Sequence, residues 1–583
     1  MKTTGGRLVV RALEDEDVPF TFGIPGTHNI ELYDALAEST SVRPILVTDE
    51  QGASFMADGV WRASGRLGCV NVVPGAGLTH AMSGIAEAFM DNVPMLVLTC
   101  GIRTDTGRAY QLHDVDQLAM VAPVTKAQLR VGRGEELYAT VRRACALARA
   151  GAPGPVVVEV PANLYLFRHE DSGAETGAGA GTRAGAGVAE LIERAVTVLR
   201  AARRPLLYVG LGAAGARTRL VELAERLEVP VASTIQGKGV FPESHPLFLW
   251  PGFGDAAPAF VRKVVAGCDA TLAIGCRFGE VATGSYGLVP PGRLMHVDID
   301  PAVPGRNFPA EVGIEADAAL FVDALLARLD EAPRPRDADL RERVARGHAA
   351  VVDEWREEAA ASESVAPWAL LSALQRRFGP DTIYATDSGN GTFLAMEQLR
   401  LDQPGRFLAP VDYSCMGYSV PAAIGAKLAR PEAPVVALAG DGAFLMTGLE
   451  LATAVAHEVP IAVFLLRDRE LAQIAQFQDT ALSRKTASTV SSYDLASLAG
   501  SLGVECVRVD RNHEIEAALD AALIAFAEGR PIAVDVAIDY SRKSYFTKGV
   551  VKTNLLRLPV GDRARFIARA LGRRLLPSWG TRT

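Results

Sequence analysis

Apolar and polar positions along the chain follow the pattern of parallel β-sheets covered by helices. Short β-branched runs alternate with longer stretches in which apolar residues recur at helical spacing. Before residue 170 the runs are Ile45–Thr48, Cys69–Val73, Met95–Thr99 and Val156–Val160. Strands that are apolar on both faces and separated by helices are typical of parallel sheets, because the crossover helices cover both faces. This part of the chain is therefore predicted to form one helix-covered parallel sheet.

The same alternation of strands and helices restarts twice later in the chain. The later predicted strands are Pro205–Gly210, Thr271–Gly275, Leu294–Ile299, Thr382–Ala385, Val435–Ala439, Ile461–Leu466 and Ile532–Val536. We therefore predict an α/β protein of three consecutive doubly wound parallel-sheet domains, at residues 1–170, 189–332 and 365–541. The remaining segments are a Gly/Ala-rich linker (171–188), a charged connector (333–364) and a basic tail (542–583).

Composition and charge narrow the classes of partner. The 583 residues are 49% apolar and 22% charged, as in a globular protein with sizeable cores. The 60 Lys and Arg against 68 Asp and Glu give a net charge of -8, which disfavours nonspecific binding to nucleic acid or to an anionic membrane. The seven cysteines form no C-x-x-C pair, and no apolar run approaches the length of a membrane span. We expect a cytoplasmic protein that acts on small molecules.

The tail is the exception to the acidic balance. From Arg542 to Thr583 it carries eleven Lys and Arg but one acidic residue, Asp562. A nucleic-acid patch is one interpretation. Because the rest of the chain is acidic, we favour the interpretation that the tail packs on an acidic surface of its own oligomer or closes over a site.

The stretch Val435–Gln478 carries the most chemical information. A buried strand ends at Gly440-Asp441-Gly442, and a second apolar strand ends just before Asp468, 27 positions after Asp441. Adjacent parallel strands deliver both carboxylates to the carboxyl edge of the sheet, where α/β proteins bind ligands. Glycines and a helix N-terminus suit a phosphate, and carboxylate oxygens suit Mg²⁺. For the three-residue motif alone a helix-capping aspartate is the simpler interpretation, but the second aspartate favours a metal site.

These residues resemble the diphosphate and metal motif of thiamine diphosphate enzymes, and other stretches of the chain extend the likeness. They are FGIPGTHNIELYDAL, TDEQGASFMADGVWRASGR, PGAGLTHAMSGIAEAFMDNVPMLVLT, VFPESHPL, HVDIDP and SCMGYSVPAAIGAKLA. In this order they resemble the acetolactate synthase, pyruvate oxidase and benzaldehyde lyase group over about residues 4–540. The resemblance implies thiamine diphosphate and Mg²⁺ as cofactors. It also implies that the three domains are pyrimidine-binding, central Rossmann-like and diphosphate-binding.

The resemblance implies roles for individual residues as well. Glu50 matches the glutamate that hydrogen-bonds the aminopyrimidine ring and shares a proton with it, which requires a carboxyl shielded from water. Met416 matches the apolar wedge that holds the cofactor bent, and the backbone carbonyl of Ser414 would accept from the 4′-amino group. The metal ligands would be Asp441, Asp468 and the backbone carbonyl of Glu470. The diphosphate would be gripped by Gly440, Asp441, Gly442, Ala443, Phe444, Asn390, Gly391 and Thr392.

At the metal site the chain departs from the family pattern. The family usually has Asn-Asn where this chain has Arg467-Asp468, so that one metal ligand would be a carboxylate instead of an amide. Extra negative charge beside a diphosphate is costly. We expect the side chains of Arg467 and Arg469 to offset it.

Further departures cluster around the predicted acceptor. The run Arg277–Val281 lacks the second arginine that is thought to meet an acceptor carboxylate in acetolactate synthases. Phe477 replaces a tryptophan that helps to select the acceptor, and Leu112-His113-Asp114 stands where the family has Phe-Gln-Glu. The pattern therefore admits an aldehyde or ketone acceptor. Substrate contacts are predicted for Gln111, Leu112, Asp114 and Phe477.

Histidines near the predicted cofactor edge are candidates for moving protons at neutral pH. His28 follows the loop Phe22–Gly26 and stands where resemblance to benzaldehyde lyase places a substrate-facing histidine. His113 and His80 are further candidates, although a lone histidine is more often structural.

The central domain carries Gly210-Leu211-Gly212-Ala213-Ala214-Gly215 directly after a predicted strand. Alone, this run reads as a dinucleotide fingerprint of a nicotinamide-dependent dehydrogenase, with Glu228 placed for a ribose hydroxyl. No second element of hydride-transfer chemistry accompanies it. Some relatives bind FAD in this domain and others bind nothing, so FAD binding and simple helix-to-strand packing both stay open.

Together the residues and the resemblance predict a thiamine diphosphate- and Mg²⁺-dependent carboligase. It would decarboxylate a 2-oxo acid such as pyruvate and transfer the acyl anion equivalent to a carbonyl acceptor, as acetolactate synthase does. The alternative is a 2-oxo acid decarboxylase or acyloin lyase, in which a proton from His28 or His113 replaces the acceptor. A noncatalytic paralogue and a dehydrogenase are the remaining hypotheses. The resemblance implies a homodimer or homotetramer with the active site between two chains.

Overall fold

A computed structural model of the chain describes residues 2–170, 187–329 and 337–575. Most of the predicted linker, the start of the predicted connector and the end of the predicted tail lie outside the described residues. Within them the chain forms three six-stranded sheets, and every strand pairing inside these sheets is parallel. The predicted class, three parallel-sheet α/β domains, is confirmed.

The N-terminal domain alternates strands and helices. Its elements are β1 (Lys2–Thr4), α1 (Gly5–Asp15), β2 (Phe20–Gly23), α2 (Ile30–Ala37), β3 (Arg43–Leu46), α3 (Glu50–Ser64), β4 (Gly68–Val72), α4 (Ala76–Met90), β5 (Met95–Gly101), α5 (Gln117–Val121), β6 (Ala127–Arg130), α6 (Leu137–Arg149), β7 (Pro155–Pro161), α7 (Ala162–Leu166) and β8 (Arg168–Glu170). The sheet order is β3-β2-β4-β5-β7-β6, and β1 pairs with β8 apart from it. Every residue of β4, β5 and β7 is buried, since helices cover both faces.

The central domain has a sheet of a different order. Its elements are α8 (Val188–Ala201), β9 (Pro205–Val209), α9 (Arg217–Leu227), β10 (Val231–Ser233), β11 (Phe248–Pro251), α10 (Ala259–Ala266), β12 (Ala270–Ile274), β13 (Arg293–Asp298), β14 (Val312–Glu315) and α11 (Ala318–Arg328). The order β11-β10-β9-β12-β13-β14 is the strand order of dinucleotide-binding domains.

The C-terminal part repeats the connectivity of the first domain. Its elements are α12 (Leu340–Ala361), α13 (Pro367–Phe378), β15 (Ile383–Thr386), α14 (Asn390–Gln398), β16 (Phe407–Leu408), α15 (Ser419–Ala429), β17 (Val435–Gly440), α16 (Asp441–Thr447), α17 (Leu451–Ala456), β18 (Ala462–Arg467), α18 (Ala472–Leu482), α19 (Leu495–Ser501), β19 (Glu505–Val509), α20 (Ile515–Ala527), β20 (Ile532–Ala537), α21 (Tyr545–Arg557) and α22 (Val560–Leu575). The order β16-β15-β17-β18-β20-β19 matches that of the N-terminal sheet, strand for strand. No helix of the described ranges is long and apolar enough to cross a membrane.

The segment predicted as a charged connector consists mostly of helix α12. Its apolar residues Leu340, Val344, Val351 and Trp355 are buried in the core of the central domain. They recur at the spacing of one helix face, which leaves most of the charged residues in solvent. The many charges therefore belong to the outer face of a packed helix.

The tail helices pack on their own chain. Helix α21 lies against the short turn Gly254–Ala256 of the central domain, where Lys552 pairs with Asp255 at 2.8 Å. The start of the helix is fixed by Glu397 on α14, whose carboxylate accepts from the N–H groups of Tyr545 and Phe546 at 3.1 and 2.7 Å. Helix α22 packs against α18. In this chain the tail covers the C-terminal domain near its carboxyl edge.

One buried arginine joins the three domains. Arg62 on α3 contacts Asp58 at 2.6 Å and Asp91 at 2.8 Å, both in the N-terminal domain. Its guanidinium also donates to Oε1 of Gln236 in the central domain and to the carbonyl oxygen of Ala409 in the C-terminal domain. Because buried charges are tolerated only when they are fully paired and bonded, this cluster fixes how the domains meet.

We predict that Arg62→Leu destabilises the fold by about 3–5 kcal/mol, because Asp58 and Asp91 would stay buried without their cation. Urea denaturation followed by tryptophan fluorescence measures the loss. The matched control is Arg66→Leu, which breaks a surface pair with Asp17, a residue whose side chain is 80% exposed. The control should cost less than about 1 kcal/mol. Equal losses in the two variants would contradict the prediction.

Candidate active site

Glu50 begins helix α3 at the carboxyl edge of the N-terminal sheet. Asp49 caps the helix by accepting from the N–H of Gln51 at 2.8 Å. Glu50 is 6% exposed, and its Oε2 lies 3.2 Å from Nδ1 of His80 on α4. A carboxylate is favourable at a helix N-terminus, which offsets part of the cost of burying it. The carboxyl is thus shielded from water, as the predicted role requires.

The three candidate histidines lie at the same edge but differ in their contacts. His80 is the one bonded to Glu50, and its side chain is 60% exposed. The rings of His28 and His113 meet edge to face with their centres 5.4 Å apart. Burial, followed by the charge of His113, lowers the pKa of His28. These two form a histidine pair beside the Glu50 edge.

Gln117, which follows the loop that carries His113, fixes that end of the loop through hydrogen bonds to neighbouring segments. The amide oxygen of Gln117 accepts from the N–H of Gly75, and its amide nitrogen donates to the carbonyl of Cys100 at 2.7 Å. Gln111 donates to carbonyl oxygens of its own loop, at Arg103 and Arg108, so its amide supports the loop. Leu112 and Asp114 are exposed on this chain.

Asp441 and Asp468 come together at the carboxyl edge of the C-terminal sheet, after the neighbouring strands β17 and β18. The carboxylate of Asp441 is buried and accepts from the N–H groups of Gly442 and Arg469 at 2.8 and 2.7 Å. Burial, followed by the charge of Asp441, raises the pKa of Asp468 to about 7. A buried and a half-buried carboxylate that repel each other beside a glycine turn suit a divalent cation and a diphosphate.

The residues around this pair divide between the site and the scaffold. Oδ1 of Asp468 accepts from the N–H of Glu470. The Glu470 carboxylate pairs with Lys485 at 2.6 Å, so the predicted metal ligand of this residue is its backbone carbonyl and not its side chain. Arg467 points elsewhere, because its guanidinium bonds Asp535 and Asp510. Burial raises the pKa of Asp441, and the charge of Arg467 opposes this shift without contact. The expectation that Arg467 offsets the extra charge therefore holds only at a distance.

The start of helix α14 supplies the other predicted diphosphate contacts. Asn390 and Thr392 are buried there, and Gly391 lies against Leu466 near the end of β18. Asp387, just before the helix, is buried and accepts from the N–H groups of Gly417 and Ser419 at 2.9 Å. Ala443 and Phe444 lie in the first turn of α16, with both side chains buried in the core.

The loop with Met416 sits between these two helix starts. The Cε of Met416 would lie 3.6 Å from a Cβ at position 442, so the wedge residue touches the glycine turn. Ser414 has a φ of 64°, and its hydroxyl hydrogen-bonds Ser388 at 2.8 Å. The N–H of Cys415 donates to Glu87 of the N-terminal domain at 2.9 Å. Glu87 lies on α4, the helix that also carries His80, so α4 joins the Met416 loop to the Glu50 edge.

A second carboxylate links the two edges within one chain. Glu450, buried in the C-terminal domain, accepts from the N–H groups of Thr48 and Asp49, directly before Glu50. Gly52 leaves room for this carboxylate, since a Cβ at position 52 would lie 2.2 Å from Oε1 of Glu450. Residues Gln117, Glu87, Asp387 and Glu450 had no signal in the sequence, since each acts on a distant segment.

A cavity of about 190 Å³ opens beside these loops. Ser388, Gly389 and Ser414 form its cofactor side, and Phe477 of α18 lines it as the predicted acceptor residue. Val281 and Glu280 of the central domain complete the wall, whereas Arg277 bonds Asn92 and Asp412 at the junction of the three domains. The tail also contributes, through Phe546 and Val550. This fits the prediction that the tail closes over a site.

The glycine-rich turn of the central domain packs tightly against its own sheet. A Cβ at Gly210 would lie 2.1 Å from the carbonyl oxygen of Gly275, and the N–H of Gly212 donates to that oxygen at 3.1 Å. Glu228 follows α9 at the opposite edge of the sheet and pairs with Arg341 at 2.7 Å. The ribose contact suggested for Glu228 is therefore wrong, since nucleotides bind at the carboxyl edge.

Glu87 gives a pH-dependent test of the Met416 loop. Burial, followed by the charge of Asp91, raises its pKa from the usual 4.5 to about 9. Between pH 5 and 9 the folded chain keeps this proton, whereas the unfolded chain has released it. The contribution of Glu87 to the free energy of unfolding therefore falls as pH rises through this range, by at most about 1.4 kcal/mol per pH unit. Glu87→Gln, which still accepts from Cys415, should remove this fall. Thermal unfolding at pH 6 and pH 9 checks it, and an unchanged pH dependence would refute it.

Comparison with known proteins gives the same assignment over the whole chain. The thiamine pyrophosphate enzyme family matches with its N-terminal TPP binding domain at residues 3–120, its central domain at 192–325 and its C-terminal TPP binding domain at 387–536. The acetolactate synthase isozyme 3 large subunit of Escherichia coli (strain K12) is 32% identical over 93% of this chain and 96% of its own length. The probable acetolactate synthase large subunit of Methanocaldococcus jannaschii is 31% identical over 92% of each chain.

A relative with a different printed activity is also similar. The probable 2-ketoarginine decarboxylase AruI of Pseudomonas aeruginosa is 34% identical over 81% of this chain and 83% of its own length. The chain therefore belongs to the thiamine pyrophosphate enzyme family, in the acetolactate synthase group, and thiamine diphosphate is its cofactor.

Proposed function

We propose that this enzyme uses thiamine diphosphate and Mg²⁺ to decarboxylate a 2-oxo acid and to join the resulting acyl group to a carbonyl acceptor. The observation that carries the proposal is the pair of sites: a buried Glu50 at one sheet edge, and Asp441 with Asp468 at another. When bound, thiamine diphosphate supplies the electron sink for loss of carbon dioxide. The relatives named as acetolactate synthases support carboligation.

The residues of the chain divide the work. Glu50 would hydrogen-bond the pyrimidine ring of the bound cofactor and hold a proton there, and its burial would keep water from competing for that proton. Met416 would pack against the bound cofactor, and the carbonyl of Ser414 would accept from its amino group. Asp441, Asp468 and the carbonyl of Glu470 hold Mg²⁺, which neutralises the diphosphate. The starts of α14 and α16 donate backbone N–H groups to the phosphates.

The acceptor is a carbonyl compound that carries no carboxylate, so it needs no arginine as an ionic partner. Arg277 is engaged at the domain junction, and the cavity wall at position 281 is a valine. No Lys or Arg is among the described residues that line this cavity. A second pyruvate would therefore lack an ionic partner in it.

A simple 2-oxo acid decarboxylase is the second candidate. It is favoured by the similarity to a protein named as a probable decarboxylase, and by the same lack of a cation for an acceptor carboxylate. In that case a proton replaces the acceptor, and His28, His113 or His80 delivers it. The products separate the two, since ligation gives an acyloin or 2-hydroxy acid and decarboxylation gives a free aldehyde.

The active unit is a homo-oligomer with each cofactor between two chains. Within one chain, Glu450 and α4 tie the Glu50 edge to the Met416 loop. In this arrangement the two edges of one chain serve two different cofactors. Sedimentation with and without thiamine diphosphate tests this, and an active monomer would contradict it.

Glu50→Gln should lower the rate of carbon dioxide release from the best 2-oxo acid about 100- to 10,000-fold, because the amide cannot share the proton. Thiamine diphosphate affinity, measured by calorimetry, should change little. The matched control is Glu38→Gln, at an exposed position after α2, which should keep wild-type activity. An active Glu50→Gln variant would overturn the catalytic assignment.

Asp441→Asn should weaken Mg²⁺ binding at least about tenfold, because it removes the buried charge that lies closest to the glycine turn. Asp468→Asn is the informative partner variant, since it introduces the amide usual in the family and relieves repulsion from Asp441. It should keep Mg²⁺ affinity within a few fold of wild type. Activity titrated against Mg²⁺ measures both, and the reverse order of affinities would refute the assignment of the two ligands.

A further inference from the structure

The cavity beside the cofactor loops carries an unusual set of charges. Glu280 is the one charged residue among the described residues that line it. Its side chain is exposed, and no described residue forms a hydrogen bond or ion pair with its carboxylate. A carboxylate in a cleft without a compensating cation gives that cleft a negative potential.

The segment around Glu280 explains how this arises. Arg277, three positions earlier, turns its guanidinium to Asn92 and Asp412 and so leaves the cavity. Val281, one position later, presents an apolar side chain to the wall. Position 280 is fixed by backbone bonds, since its carbonyl oxygen accepts from the N–H of Ser285 at 2.8 Å and from the hydroxyl of Thr283. The carboxylate is therefore held at the rim by an ordered turn.

Aromatic rings form much of the remaining wall. Phe393 and Phe546 stack with their centres 4.1 Å apart, and Phe477 lies on α18. Ring faces attract cations, and guanidinium groups most readily, because of the negative charge of the π-face. A carboxylate at the rim and rings along the wall are the features that recognise an organic cation.

We propose that this cavity binds the side chain of a substrate that ends in a guanidinium or ammonium group, with Glu280 as its ionic partner. The inference rests on the proposed function and deepens it: the substrate is a 2-oxo acid with a basic side chain. Its reacting carbonyl lies at the Ser388 and Ser414 side, and its cation lies at the Glu280 side. The cavity volume of about 190 Å³ has room for about six water-sized groups, which is enough for the non-hydrogen atoms of such a side chain.

The charge of this cavity is opposite to the one that an enzyme selecting a carboxylate-bearing acceptor needs. A negative cleft repels a second carboxylate, whereas a cationic tail gains both the ion pair and the ring contacts. Glu280 is then a specificity-determining residue. It has no part in the chemistry at the cofactor, so its removal should change which substrate is preferred and leave turnover of uncharged substrates intact.

The test compares 2-oxo acids of equal chain length whose side chains end in a guanidinium, an uncharged amide or a carboxylate. With Glu280→Gln, kcat/KM for the guanidinium acid should fall about tenfold or more, and kcat/KM for the amide acid should change less than about threefold. With Glu280→Lys the order should invert, so that the carboxylate acid becomes the preferred one. Glu315→Gln, at an exposed position at the end of β14, is the matched control and should keep wild-type preference.

A binding measurement keeps this test separate from the proposed reaction. In the Glu50→Gln background, calorimetry with the same three acids reports affinity without turnover. Charge-dependent affinity that is lost with Glu280→Gln supports the cation site even if no acid releases carbon dioxide, and in that case the proposed reaction alone fails. If all three acids bind and react with the same relative preference in wild type, Glu280→Gln and Glu280→Lys, the inference is overturned.

Discussion

Buried carboxylates that accept hydrogen bonds from backbone N–H groups of distant segments fix the loops of the candidate active site. Glu450 holds the turn before Glu50, Glu87 holds the loop of Met416, and Asp387 holds the residues that follow that loop. Burying a carboxyl is costly unless its oxygens are bonded, so each of these groups fixes one geometry of its loop strongly. The catalytic loops are therefore ordered by side chains that need not touch a substrate.

The same bonds connect the Glu50 edge to the Met416 loop within one chain. Helix α4 carries His80 near one end and Glu87 near the other, so it spans from the Glu50 edge to the Met416 loop. Arg62 and Arg277 lock the three domains at the far side of these contacts. Because packed interiors deform little, this helix sets the distance between the two edges of one chain.

Substrate specificity is assigned to side chains that do not take part in the packing of the domains. In the run that begins at Arg277, the first side chain is used for domain packing and the fourth faces a cavity. Replacing an arginine with Val281 removes the positive charge, and Glu280 then sets the sign of the potential. The chemistry common to the family and the choice of substrate are thus carried by different residues, as expected when a shared cofactor performs the reaction.

The sequence by itself determined the three parallel-sheet domains, because strand periodicity depends on neighbouring residues only. Its local motifs carried the family resemblance that gave the cofactor and that predicts Glu50, Asp441 and Asp468 as site residues. Tertiary structure decided that His80 contacts Glu50, that Arg467 pairs with Asp535 and Asp510, and that Glu280 lines the cavity. It also placed Glu228 at the edge opposite the one where nucleotides bind. It also revealed Gln117, Glu87, Asp387 and Glu450, most of whose partners lie far away along the chain. Such contacts depend on how separate elements pack, and no local pattern of residues records that.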